Sequence, residues 1–210
     1  MSNDSQFVGE WNIDPLHSRL GFSARHAMVT KVRGAFNEVT GKAYIDPQDW
    51  ENSYAHVTIQ VASIDTRNDK RDQHLLSADF FDQEKYPTIE FVSTTIDEVD
   101  QDQFIVVGDL TIRGITRPVS IPLDLSGVHV DSFGITRAGL EGGRRIDRRE
   151  WGMRWNSPLD SGGVMVSDKI SLEFELSMTK AEPVVAEESS QEEPTSQEEI
   201  SRERTLTLKR

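Results

Sequence analysis

The side chains in this chain that could act on a substrate, or grip one, are five histidines, a few serines near them and one arginine-rich run. Catalysis needs a nucleophile or base held by an orienting partner. His17 stands three residues after Asp14, His26 can be drawn against Asp65, and Ser18 or Ser23 could serve as the nucleophile. None of these lies in a nucleophile elbow, and no glycine-rich phosphate loop or metal motif is present. His17, His26, His56, His74 and His129 lack ligand spacing. The absence of cysteine removes a thiolate nucleophile, a thiolate metal site and a disulfide framework. The expectation is a protein that is not an enzyme and needs no metal or cofactor.

Binding chemistry has more to offer. Arg113, Arg117 and the run Gly142-Gly143-Arg144-Arg145-Ile146-Asp147-Arg148-Arg149 are the basic concentrations in the sequence. A guanidinium fork suits a phosphate or pyrophosphate group; the competing reading is a solvated loop salt-bridged to the many surrounding acids. On the segment Ser18 to His26, an inward Leu20 and Phe22 would send Ser18, Ala24 and His26 the same way. His26 would then close an otherwise apolar face. Left bare there, a polar group costs on the order of 1–3 kcal/mol. It must therefore bond a carbonyl or carboxylate, or meet the polar end of a bound molecule.

The elements that must position these residues are strands. Ile170, Leu172, Phe174, Leu176 and Met178 alternate with Ser171, Glu173, Glu175 and Ser177, the period of a strand between core and water. Val119, Ile121, Leu123 and Leu125 repeat the pattern, and Pro122 marks an edge or bulge. Val57, Ile59 and Val61 do the same. Weaker alternation runs over 18–26, 32–36, 39–45, 89–96, 104–112 and 133–140, with glycines including Gly142 and Gly143 read as turns. Eight or nine short strands without alternating helices indicate a sandwich or a closed barrel, and closure removes exposed edges. One helix is expected over 66–81, capped by Asp65 or Thr66. Its apolar far end (Leu75, Leu76, Phe80, Phe81) should lie across a sheet or a barrel opening.

The composition limits the partners. At 210 residues and net charge −13, the chain is a poor candidate for nucleic acid or for an anionic membrane surface, both of which reward clustered Lys and Arg. Residues 181–210 hold eight acids and four bases with few apolar residues, and read as a disordered acidic tail after a folded domain spanning 1–180. Residues 1–10 have neither a positive start nor an apolar run, and no stretch reaches the length of a transmembrane helix, so a cytoplasmic location is expected.

The order of motifs points further. Trp11-Asn12-Ile13-Asp14-Pro15-Leu16-His17-Ser18, Phe22-Ser23-Ala24-Arg25-His26 and Val32-Arg33-Gly34-Ala35-Phe36 resemble the YceI-like family of bacterial lipid- and polyisoprenoid-binding proteins. Ser63-Ile64-Asp65-Thr66, Arg71-Asp72-Gln73-His74-Leu75, Tyr86-Pro87-Thr88-Ile89-Glu90-Phe91, Gly108 to Pro118, Trp151-Gly152-Met153 and Trp155-Asn156 continue the match over 11–179. The resemblance implies an all-β fold with one helix: a closed, antiparallel, eight-stranded, lipocalin-like barrel with the helix near its mouth. It also implies binding, storage or transport of a polyisoprenoid, an isoprenoid quinone or a fatty amide in an apolar tunnel, and a homodimer. Many relatives are periplasmic. The candidate ligand-binding set is Leu20, Phe22, His26, Phe36, Leu75, Leu76, Phe91, Leu110, Arg113, Trp151 and Trp155. For each large apolar residue, plugging the core is the alternative to lining a cavity. A hydrolase or isomerase acting on the same lipid is the alternative function.

Overall fold

In the computed structural model, which describes residues 7–160 and 162–181, eleven strands wrap into one sheet closed on itself. They are β1 (Gly9–Ile13), β2 (Arg19–His26), β3 (Thr30–Phe36), β4 (Val39–Ile45), β5 (Tyr54–Gln60), β6 (Ile64–Asp65), β7 (Thr88–Asp100), β8 (Gln103–Ile112), β9 (Ile115–Val130), β10 (Thr136–Asp147) and β11 (Lys169–Lys180). The helix α1 spans Asp69–Leu76. β11 ends at Lys180, and the tail proposed for 181–210 lies, but for Ala181, outside the described residues.

The barrel has eight positions because three of its strands are broken in two. β1, β4, β5, β7, β8, β9, β10 and β11 close the ring through the β11–β1 pairing. β2 takes over from β1 along β11: Ile13 pairs with Met178, then Arg19 with Glu175. In the same way β3 continues β4 and β6 continues β5. Every neighbouring pair is antiparallel, and the β11–β1 pairing closes the ring, so none of the eight positions is an edge along its whole length.

The alternation read from sequence holds over the long strands. Ile170, Leu172, Phe174, Leu176 and Met178 all face the barrel interior, as do Ile121 and Leu123. Pro122 is at an edge: β9 pairs with β10 only from Leu123 onward, so Pro118 and Pro122 have β8 alone beside them. The expected strand over 133–140 starts later, at Thr136. Residues 131–135 form the β9–β10 turn, and Phe133 is exposed there. Asp131 organises that turn by accepting from the backbone N–H groups of Phe133 and Ile135.

Two further readings are corrected. Gly142 and Gly143 are inside β10, not in a turn: a Cβ on Gly142 would stand 2.2 Å from the Pro122 carbonyl oxygen, and one on Gly143 2.6 Å from that of Leu172. Only a residue without a side chain lets the neighbouring backbones pass this closely. The helix is shorter than 66–81 and is capped by Asn68, whose side chain accepts from the Arg71 N–H at 3.0 Å. Asp65 instead accepts from the backbone N–H of Arg67, and buried Thr66 donates its hydroxyl to Asp72 while accepting from Arg71 Nε. These bonds tie α1 to the end of β6.

α1, the β2–β3 and β8–β9 turns and the 148–168 connection gather at one end of the barrel, called here the helix end. The far end carries Phe7, the start of β1, the β4–β5 connection and the β7–β8 turn. No helix among the described residues is long and apolar enough to cross a membrane.

Candidate functional site

The inward faces do not fill the space they enclose. A cavity of about 270 Å³ runs between the two ends, lined by every one of the eight strand positions. Its wall is almost wholly aliphatic and aromatic. Small residues keep it open: Ala43 of β4 and Ala55 of β5 are direct cross-strand partners, and both face the void. The void explains why Phe36, Val57, Ile59, Leu172 and Phe174 are only half-buried although they point inward.

The far end is sealed by aromatic packing. Phe7 stands 5.7 Å from Trp11 and 5.8 Å from Phe104, ring centre to ring centre, and Trp50 covers Phe104 at 5.6 Å. Trp11 donates its indole N–H to the Phe7 carbonyl at 2.9 Å, so its one polar atom is satisfied in the core. At the helix end no such closed ring cluster of the strands covers the lining among the described residues, and Phe22, Ala24, Leu75, Phe81 and Val166 are all partly exposed. Phe81 meets Phe36 edge-on at 5.7 Å, and Phe36 in turn meets Phe22 at 5.6 Å. This end is the mouth.

Of the eleven residues singled out from the sequence, Leu20, Phe22, Phe36, Leu75, Phe91 and Leu110 line the cavity. The other five do not. His26 has the inward parity expected of it but lies beyond the rim, exposed and bridged to Val166. Leu76 packs on the core beside the cavity. Trp151, 1% exposed, lies outside the cavity and donates its indole N–H to the Leu110 carbonyl at 3.0 Å. It sits where β9 and β10 have parted. Trp155 packs on α1, meeting His74 edge-on at 4.5 Å and Phe80 at 5.3 Å between ring centres. Arg113 reaches the Gly152 carbonyl and, at 4.0 Å, Asp82.

The arginine run divides. Arg149 and Lys169 hold Asp147, and Arg149 also reaches Asp168, a rim network of the salt-bridged kind. The Arg149 guanidinium beside Asp147 keeps that carboxyl well below the usual carboxylate range. Arg148 turns the other way. It is 3% exposed and reaches the cavity wall, with Nη1 donating to the Met153 carbonyl at 2.7 Å, Nε to the Ser167 carbonyl at 3.2 Å and Nη2 to Asp168 at 3.3 Å. Its plane stands over the Phe80 ring at 5.8 Å. Burial lowers its pKa, and Asp168 and Asp147 partly offset that. Arg148 and Lys42 are the only charged residues among those lining the cavity, and of the two Arg148 is buried while Lys42 is exposed; the lining has no His, Ser, Asp or Glu. Nothing in the sequence set Arg148 apart from its three arginine neighbours; a 3-10 turn at Arg148–Trp151 selects it.

The pairs drawn for catalysis lie apart from the cavity. His17 bonds Asp14 at 2.7 Å on the outer surface, and Arg137 reaches the same carboxylate at 2.6 Å. Ser23 faces outward to Glu173. No cluster of three His, Asp or Glu among the described residues is placed to hold a metal.

Comparison with known proteins agrees with this architecture. Residues 11–178 match the YceI-like domain. A UPF0312 protein of Staphylococcus aureus is 35% identical over 166 residues, covering 78% of this chain and 93% of that protein. The crystal structure of the Campylobacter jejuni YCEI protein superposes with a TM-score of 0.65 at 28% identity, over 75% of this chain and 90% of that one. BcnA of Burkholderia cenocepacia gives 0.69 at 24% identity, over 79% and 98%. A polyisoprenoid binding domain from Saccharophagus degradans gives 0.64 at 15%, over 81% and 98%, and at that identity shows the shared fold alone.

Proposed function

The chain belongs to the YceI-like family, and from that premise we propose that its barrel binds an amphipathic lipid of the isoprenoid type, apolar chain inward and polar end at the mouth. The observation that carries this reading is the void itself: an apolar bore, sealed at one end and lined by partly exposed residues at the other, that the chain's own side chains leave unfilled. The fold shared with a polyisoprenoid binding domain supports the class of ligand. Arg148 is the buried cation on the lining, at the helix end, and the polar end of the guest lies toward it.

The volume decides how much chain enters. A cavity of roughly 150 Å³ accepts benzene, so 270 Å³ accommodates roughly ten carbons, about two isoprene units, as the side chains stand. A longer guest leaves part of its length in the mouth or moves Phe22 and Phe36 aside. Each buried methylene contributes about 0.8 kcal/mol, so affinity rises more than tenfold per isoprene unit until the space is full. The test is a series of isoprenoid alcohols of increasing length, titrated against the protein and against Ala55→Phe, which places a ring in the bore. Affinity should climb with length and then level off, and should fall in the variant. An affinity indifferent to length, and equal in the two proteins, would sink the reading. Comparing each alcohol with its phosphate in wild type and Arg148→Met tests the polar end: the phosphate should bind more tightly only where Arg148 is present.

A further inference from the structure

Folding assembles a second concentration of cations, at the mouth, that is invisible as a run. Between Asp14 and Glu38 there is no Asp or Glu, in a chain that has 36 of them. The cations in that stretch are Arg19, Arg25, Lys31 and Arg33, interleaved with residues of opposite parity. β2 and β3 pair so that Arg25 lies directly across from Lys31, and Ser23 across from Arg33. Leu20, Phe22 and Ala24 line the bore, so this set takes the outer face. Like charges directly opposite on a hairpin are destabilising. None of Arg25, Lys31 and Arg33 has a carboxylate within ion-pair distance among the described residues; the neighbouring Glu173 takes Arg19, at 3.8 Å. The groove behind β3 adds Arg67 and Arg71 and only one carboxylate, Asp65.

The tip of the same hairpin is apolar and strained. Val29 donates its backbone N–H to the His26 carbonyl, closing a turn whose central residues, Ala27 (φ 50°) and Met28 (φ 62°), are both left-handed. Hairpins ordinarily place Asn-Gly or Gly-Gly there. Met28 is 55% exposed and Val29 75%. Two apolar side chains thus stand out in water, between three cations, on the rim of an apolar bore.

We propose that the β2–β3 hairpin docks the mouth onto an anionic lipid bilayer, with Met28 and Val29 entering the interface and Arg25, Lys31 and Arg33 meeting the lipid phosphates and carboxylates. This goes beyond the lipid-binding reading, and only its use, passage of a guest between bilayer and bore, rests on that reading. The net charge of −13 does not forbid it. Screening confines the interaction to about 8 Å at physiological salt, while the eleven-residue β10–β11 ladder alone spans roughly 35 Å. On the rim, Asp147 and Asp168 are already paired with Arg148, Arg149 and Lys169.

The test is vesicle flotation of the full chain with phosphatidylcholine alone and with an equimolar mixture of phosphatidylcholine and phosphatidylserine. Binding should require phosphatidylserine and fall as salt is raised. Arg25→Gln, Lys31→Gln and Arg33→Gln should each weaken it about fivefold, and the triple variant about a hundredfold. The double variant Met28→Asn with Val29→Thr, which keeps a residue tolerant of positive φ in the turn, should also weaken it. Equal binding to both vesicles, no binding by the full chain, or unchanged binding by the triple variant overturns the proposal. So does a Lys31 shielded from amine-reactive label in vesicle-free protein and unshielded by salt, which would assign the hairpin to the chain's own acidic C-terminal stretch. Farnesol titrated into the same variants separates the two readings: docking lost with farnesol binding retained is the expected result. Failure of farnesol to bind wild type would strike the bore and leave the vesicle result to stand by itself.

Discussion

The two ends of the barrel are closed by different means. At the far end, Phe7, just ahead of β1, and Trp50, in the β4–β5 connection, pack ring against ring with Trp11 and Phe104 of the sheet, and three of the four are buried. At the helix end, the cover comes from elements outside the sheet: α1, the residues after it and the 148–168 connection. Polar bonds hold these in place, through Thr66 with Arg71 and Asp72, and through Arg148 with two carbonyls and Asp168. Aromatic packing makes a permanent floor. A helix tied by a few polar bonds over half-exposed apolar residues makes a cover that opens at less cost than unfolding the sheet.

That contrast can be broken by experiment. Trp11→Ala at the floor should cost about 3–5 kcal/mol, by transfer and by the cavity left behind, against about 1 kcal/mol for Leu75→Ala at the half-exposed cover. Equal losses in chemical denaturation would erase the distinction. Arg148→Ala comes next, at about 3 kcal/mol, because it strands buried carbonyls and Asp168; Arg148→Met, which restores the volume, should recover part of the loss. Leu75→Ala should release a bound isoprenoid alcohol faster in stopped flow, while Trp11→Ala protein that remains folded should not. The smallest effect is that of acid. Asp147 and Asp14 both have folded pKa values below the ordinary carboxylate value, the first through Arg149, the second because bonds from His17 and Arg137 outweigh the opposing effect of burial. Their contribution is therefore complete above about pH 4 and is lost as pH falls toward the lower folded values. Thermal midpoints should drop below that point, less steeply in Asp147→Asn.

Much of this was legible in the chain. The alternation from Ile170 to Met178 gives a strand and its inward face outright, and the number of such segments leads to a closed sheet. What could not be read was which large residues line the space and which plug it. Trp151 and Leu110 look alike in sequence, yet one satisfies its indole N–H beside the wall and the other forms the wall. That outcome depends on where β9 and β10 separate, a property of two strands at once. His26 has the right parity and the wrong height. The hairpin cations are not legible as a cluster because a run is a one-dimensional pattern, whereas Arg25, Lys31 and Arg33 become neighbours only when two strands pair.

The three broken strands carry one more implication. Inward residues are odd-numbered in β1 and even-numbered in β2 (Ile13, then Leu20 and Phe22); even in β3 and odd in β4 (Phe36, then Ala43 and Ile45). Both of these corners thus reset which side chains face in, and they lie side by side across the wall. A single-residue deletion within 14–18 must be absorbed in the corner itself, because a slip of β2 by one residue would turn that strand inside out. Arg19 and Arg25 would enter the grease, and Leu20 and Phe22 would be left in water. The registers on either side of these corners are therefore as tightly constrained as any residue in the core.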